Sequence, residues 1–72
     1  MDYKYPNAAL VSLTLQNGMP LVVNAHSVVS VNIYGSEFVS ALKLIGDDKI
    51  YILTGSPSFI KGQLETAIRN SK

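Results

Sequence analysis

The chain has no cysteine, one histidine and little charge. Without cysteine there is no disulfide framework and no thiolate metal site, and His26 alone cannot build a zinc cluster without help from carboxylates or a partner chain. Charged residues make up 15% of the 72 positions, against roughly 25% in an ordinary soluble domain. Hydrophobic residues make up 47%. One small core cannot hide so many side chains, so apolar area must lie exposed on the monomer or be buried between subunits. A domain of this size retains only roughly 3–5 kcal/mol of net stability and draws on disulfides, metals or oligomerisation for support. With the first two excluded, self-association is the expected support.

The charges that are present are dispersed. Lys4, Lys43, Lys49, Lys61, Arg69 and Lys72 lie among five acidic residues and give a net charge of +1. Nucleic-acid binding calls for several phosphate contacts from one basic face, which this pattern does not offer. No apolar run approaches the ~18 residues of a membrane span. The segment Met1-Asp2-Tyr3-Lys4 lacks the basic and apolar regions of a signal peptide. Membrane insertion is therefore not expected, and the cytoplasm is the expected compartment.

Residues 1–8, polar and aromatic around Pro6, read as a flexible arm ahead of a single domain over 9–72. From Leu10 to Leu15 the chain alternates, with Val11, Leu13 and Leu15 on one face, as in a half-buried strand. Asn17-Gly18 then predicts a type I′ hairpin turn, with φ > 0 at both residues, and Met19–Asn24 returns antiparallel. Pro20 suits an edge or a strand start, because it has no N–H to donate. After a polar bend at residues 24–27, Val28–Tyr34 alternates again, with Val29, Val31 and Ile33 facing one way. Turns at Gly35-Ser36-Glu37 and Gly46-Asp47-Asp48 bound further strands over Phe38–Ile45 and Lys49–Leu53.

The period then changes. Ser56 can cap a helix, Pro57 fits its first position, and Ile60, Leu64, Ala67 and Ile68 form an apolar stripe at i, i+4, i+7 and i+8. Gly62 inside this helix costs about 1 kcal/mol relative to alanine, so either something packs closely there or the cost is tolerated. The predicted fold is α+β: an antiparallel β-meander of four to five strands followed by one C-terminal α-helix.

The helix stripe covers one sheet face, yet several strands are apolar on both. Leu10 and Val22 are opposite in phase to Val11 and Val23, and Val39 and Ala41 to Leu42 and Leu44. Val22, Val39 and Ala41 are thus expected on the face that meets a partner, and are the positions at which introduced charge should disturb assembly. Tyr3, Tyr5, Tyr34, Phe38 and Tyr51 are the other interface candidates, since they join large apolar area to wet or polar edges. Tyr34 and Phe38 also suit simple pairing across a hairpin, and Tyr51, between Ile50 and Ile52, suits a core equally well.

Signals for chemistry are sparse. His26 sits at a bend beside Asn24 and Ser27, without the nucleophile and orienting carboxylate of a catalytic site. Asp47 and Asp48 follow a glycine as turn residues do, and the further oxygen ligands of a calcium loop are missing. The junction Thr54-Gly55-Ser56-Pro57-Ser58 could present N–H groups to an anion through Thr54, Gly55, Ser56 and Ser58. It lacks a Walker pattern, and helix capping explains the same residues.

The order of these signals resembles the FlbD/SwrD-like family of small proteins associated with bacterial flagella and swarming. The resemblance rests on a strand ending in Asn17-Gly18, a strand ending in Asn24, an apolar strand over Val28–Val31, an acidic turn at Asp47-Asp48 and a Ser56-led helix. It covers roughly Leu10 to Ile68. The family's acidic residue before the helix-opening serine is replaced here by Gly55, and Phe59 and Ile60 occupy the first turn where further acidic positions are typical. The resemblance implies the meander-plus-helix fold and, more remotely, a flagellar role.

The expected function is a non-enzymatic, homo-oligomeric binding or adaptor protein acting through protein–protein contacts, with no cofactor and no metal. The alternative is a phage-encoded inhibitor of host defence that sequesters a nucleotide-like or other small ligand at subunit junctions. An enzyme has no supporting constellation.

Overall fold

The computed structural model describes residues 9–71; the expected arm over 1–8, with Tyr3 and Tyr5, lies outside them. In chain order the elements are β1 (Leu10–Thr14), β2 (Pro20–Asn24), β3 (Val28–Tyr34), β4 (Ser36–Leu44), β5 (Ile50–Thr54) and α1 (Pro57–Asn70). The α+β arrangement, with antiparallel strands followed by one C-terminal helix, is the one the sequence predicts. The strands form two sheets: a β1–β2 pair and a three-stranded sheet in the order β3-β4-β5.

The division falls at the polar bend. Ala25–Ser27 is a short 3-10 turn, and the Asn24 side chain holds it by accepting from the N–H of His26 at 3.1 Å and from that of Ala9 at 3.2 Å. An antiparallel bridge between Leu15 and Leu53, with the Gln16 N–H donating to the Ile52 carbonyl at 2.9 Å, ties the end of β1 to β5. Since each of these pairings is antiparallel, β2 and β3 run in the same sense. The 3-10 turn therefore carries the chain round a corner and does not fold it back alongside β2. Both sheets and α1 then share one core.

The first hairpin differs from the predicted type I′ turn. Among the described residues only glycines have positive φ, so Asn17 stays in the ordinary region while Gly18 takes φ 91°. The Leu15 carbonyl accepts from the Gly18 N–H, and the Leu15 N–H donates to the Met19 carbonyl, both at 2.8 Å. This is a three-residue loop with glycine in the left-handed position. Its register sets Val11 opposite Val23 and Leu13 opposite Leu21. A two-residue turn at Asn17-Gly18 would instead have set Val11 opposite Asn24 and drawn an amide towards the core, so burial selects the longer loop.

Leu13, Leu42, Leu53 and Ile60 are at most 2% exposed and form the centre, joined by Ala9, Val23, Ala25 and Leu64. The helix starts as its sequence predicts: Ser56 Oγ accepts from the Phe59 N–H at 3.2 Å and Pro57 occupies the first turn. Ile60 and Leu64 are the buried part of the stripe, and Ala67 and Ile68 are half-buried against the same core. Burying a side chain such as Ile60 or Leu64 contributes about 1.5–3 kcal/mol, enough to fasten a helix that would be marginal in isolation.

Candidate functional site

In the three-stranded sheet the core phase comprises Ser40 and Leu42 on β4 and Tyr51 and Leu53 on β5, which lie opposite one another as Ser40–Leu53 and Leu42–Tyr51. The other phase pairs Ala41 with Ile52, Lys43 with Ile50 and Val39 with Thr54. Val39, Ala41 and Ile52 are half-buried there, while Ile50 is exposed. Val39 and Ala41 thus share one face, as the strand alternation predicts. Val22 does not join them. It lies on the two-stranded sheet opposite Ser12 and is exposed, as is Leu10 on the same strand pair.

A second apolar region lies at the β3–β4 hairpin. Ile33, Tyr34 and Phe38 are 64%, 54% and 68% exposed. The pairing jumps from Ile33–Ser40 to Tyr34–Ser36, so β4 bulges here and turns Phe38 out of regular register. Ser36 Oγ accepts from the Phe38 N–H at 3.1 Å and fixes the bulge. Ile33, Glu37 and Phe38 line an open groove of about 710 Å³ against Ser56, Pro57 and Ser58. A second groove, of about 480 Å³, runs between β3 and α1 and is lined by Val28, Val29, Val31, Lys61, Leu64 and Ile68. A third, of about 560 Å³, lies along α1 beside Val11, Phe59 and Gly62. At Gly62 an added Cβ would meet nothing within 4 Å, so no packing among the described residues requires a glycine there.

The junction over Thr54–Ser58 is built largely from bonds within the chain. Gly55, at φ 120°, donates its N–H to the Phe38 carbonyl at 2.7 Å and accepts from Ser40 Oγ at 2.7 Å. Ser56 caps the helix, and Thr54 and Ser58 are exposed. The Ser40 contribution was not anticipated. Its only sign in the sequence is a serine in the apolar phase of β4, two residues before Leu42.

Asp47 Oδ1 accepts from the Lys49 N–H at 2.9 Å, as a turn aspartate does, and Oδ2 accepts from the Tyr51 hydroxyl at 2.7 Å. The Lys49 amide first, and the Tyr51 hydroxyl second, hold the Asp47 carboxyl below the usual carboxylate range. Donation to that carboxylate pushes the Tyr51 hydroxyl up. Tyr51 is half-buried, with its apolar ring in the core phase and its polar end tied to the turn. His26 is exposed at the 3-10 corner. Among the described residues no group of three or more His, Asp or Glu side chains is placed to hold a metal ion, and no helix is long and apolar enough to cross a membrane. No protein-family model, no curated protein and no solved structure matches the chain.

Proposed function

We propose that this chain is a non-enzymatic, homo-oligomeric binding or adaptor protein that acts through protein–protein contacts. One observation carries the reading: among the described residues ten large hydrophobic side chains, spread over both sheets, their turns and α1, each keep more than half of their surface exposed. Apolar patches on this scale mark interaction surfaces when they are contiguous. The three-stranded sheet gathers Ile33, Tyr34 and Phe38 at one hairpin and sets Val39, Ala41, Ile50 and Ile52 in the phase turned from the core. A place beside flagellar or swarming machinery, which the FlbD/SwrD-like resemblance implies, is one role such an adaptor would fill.

Sedimentation equilibrium over a micromolar to millimolar concentration series tests the reading. The expected result is a dimer or larger species at micromolar concentration. A cooperatively folded monomer across the whole series would remove it.

A further inference from the structure

We propose that two copies of this chain join through the free edge of β3, antiparallel about a two-fold axis at Val31, to form one six-stranded sheet. The proposal rests on the homo-oligomeric reading above and names the joint.

In the three-stranded sheet β4 is central, and the far edge of β5 already receives the Leu15 bridge and the Gln16 N–H. Among the described residues no strand pairs with the far edge of β3. An open edge is a template for another strand, and proteins that stay monomeric blunt it with lysine, proline or short length. β3 has seven residues and contains neither charge nor proline. By contrast, β2 has five and begins with Pro20. The one irregularity in β3 is a bulge at Val29; from Ser30 to Ile33 its register with β4 is continuous.

The order of residues on β3 says which strand fits. Val28-Val29-Ser30-Val31-Asn32-Ile33-Tyr34 has the same pattern of apolar and polar residues in both directions. With an antiparallel two-fold axis at Val31, Val29 lies opposite the partner's Ile33 and Ser30 opposite the partner's Asn32. Val31 meets its own copy. From Val29 to Ile33 every apolar residue finds an apolar one and every polar residue a polar one, the arrangement that cross-strand pairing favours. The match is self-complementary, as a two-fold interface requires.

The exposed surface sits where this joint would cover it. Val29 and Ile33 are 57% and 64% exposed, and each lines one of the two grooves that flank β3, with Val31 lining both. An axis perpendicular to the sheet places both helices on one side, with the Val29, Val31 and Ile33 rows meeting between them. Tyr34 stands at the end of the joint, more than half exposed in the single chain. Val29, Val31, Ile33 and the seven-residue backbone edge are the surface that the joint covers. The other face of the combined sheet then carries Val39, Ala41, Ile50 and Ile52 from both copies.

Two double variants test the register, with the wild-type chain as reference. Val29→Glu with Ile33→Glu sets like charges opposite one another at two symmetric positions. Val29→Glu with Ile33→Lys sets opposite charges there, and within each chain the new groups share grooves with Lys61 and Glu37 respectively. All positions are exposed, and circular-dichroism melts check that each variant folds. By sedimentation equilibrium the like-charge variant should have a dimer Kd raised by roughly a hundredfold, and the opposite-charge variant should recover a dimer that weakens with salt. A like-charge variant that associates as tightly as wild type overturns the β3 joint but leaves homo-oligomerisation standing. Failure of the folded opposite-charge variant to recover overturns the register proposed here. A wild-type chain that is monomeric throughout overturns both readings together.

Discussion

Ser40 is the one fully buried polar residue among the described side chains. It lies in the core phase of β4, opposite Leu53, and its hydroxyl donates to the Gly55 carbonyl at 2.7 Å. That bond fastens the point at which the chain leaves β5 for α1. Gly55 takes φ 120° there, and a Cβ at this position would come within 3.0 Å of the Phe59 ring, so the junction admits little else. Ser40→Ala removes the donor and leaves a carbonyl without that partner, which costs about 1–3 kcal/mol. Urea unfolding at neutral pH should show the loss as a lower midpoint with an unchanged slope. An unchanged midpoint would show that the bond contributes nothing to stability.

At the scale of elements, the β4–β5 turn carries the pH-sensitive contact. Asp47 accepts from the Lys49 amide and the Tyr51 hydroxyl, and its carboxyl is held low. Because its folded pKa is depressed, its stabilisation is present above the unfolded value and is lost as the pH falls through the folded one, below about pH 4. Tyr51 is held high, so its share is present below about pH 10 and is lost as the pH rises through its folded value. Urea midpoints for wild type and Asp47→Asn should differ by a constant amount between these limits and converge on the acid side. A difference that persists in acid would mean the charge on Asp47 is not what the turn uses. This turn was legible in the sequence because glycine and aspartate act locally; so was α1, whose cap, proline and stripe lie within one segment. The first hairpin was legible only in place: Asn17-Gly18 marks the reversal, but its register depends on which residues of β2 the distant core accepts.

At the scale of the molecule, the break between the sheets was invisible in the alternation pattern, because Asn24 holds the corner through Ala9, fifteen residues away. This explains why Val22 and the pair Val39 and Ala41, alike in phase, lie on different sheets, whereas the exposure of Tyr34 and Phe38 follows from their places beside a turn. It also separates two uses of the apolar surface. Edge pairing through β3 consumes Val29, Ile33 and Tyr34 and leaves the face bearing Ile50 and Ile52 free for a partner. Ile50 is 59% exposed and lies opposite Lys43, so Ile50→Lys adds a like charge there at small cost to the fold. With the joint at β3, that variant should keep the wild-type sedimentation mass while binding less of an apolar fluorescent dye. Loss of the dimer in Ile50→Lys would instead move the joint to the face of the sheet, and the strand palindrome would then have no structural role.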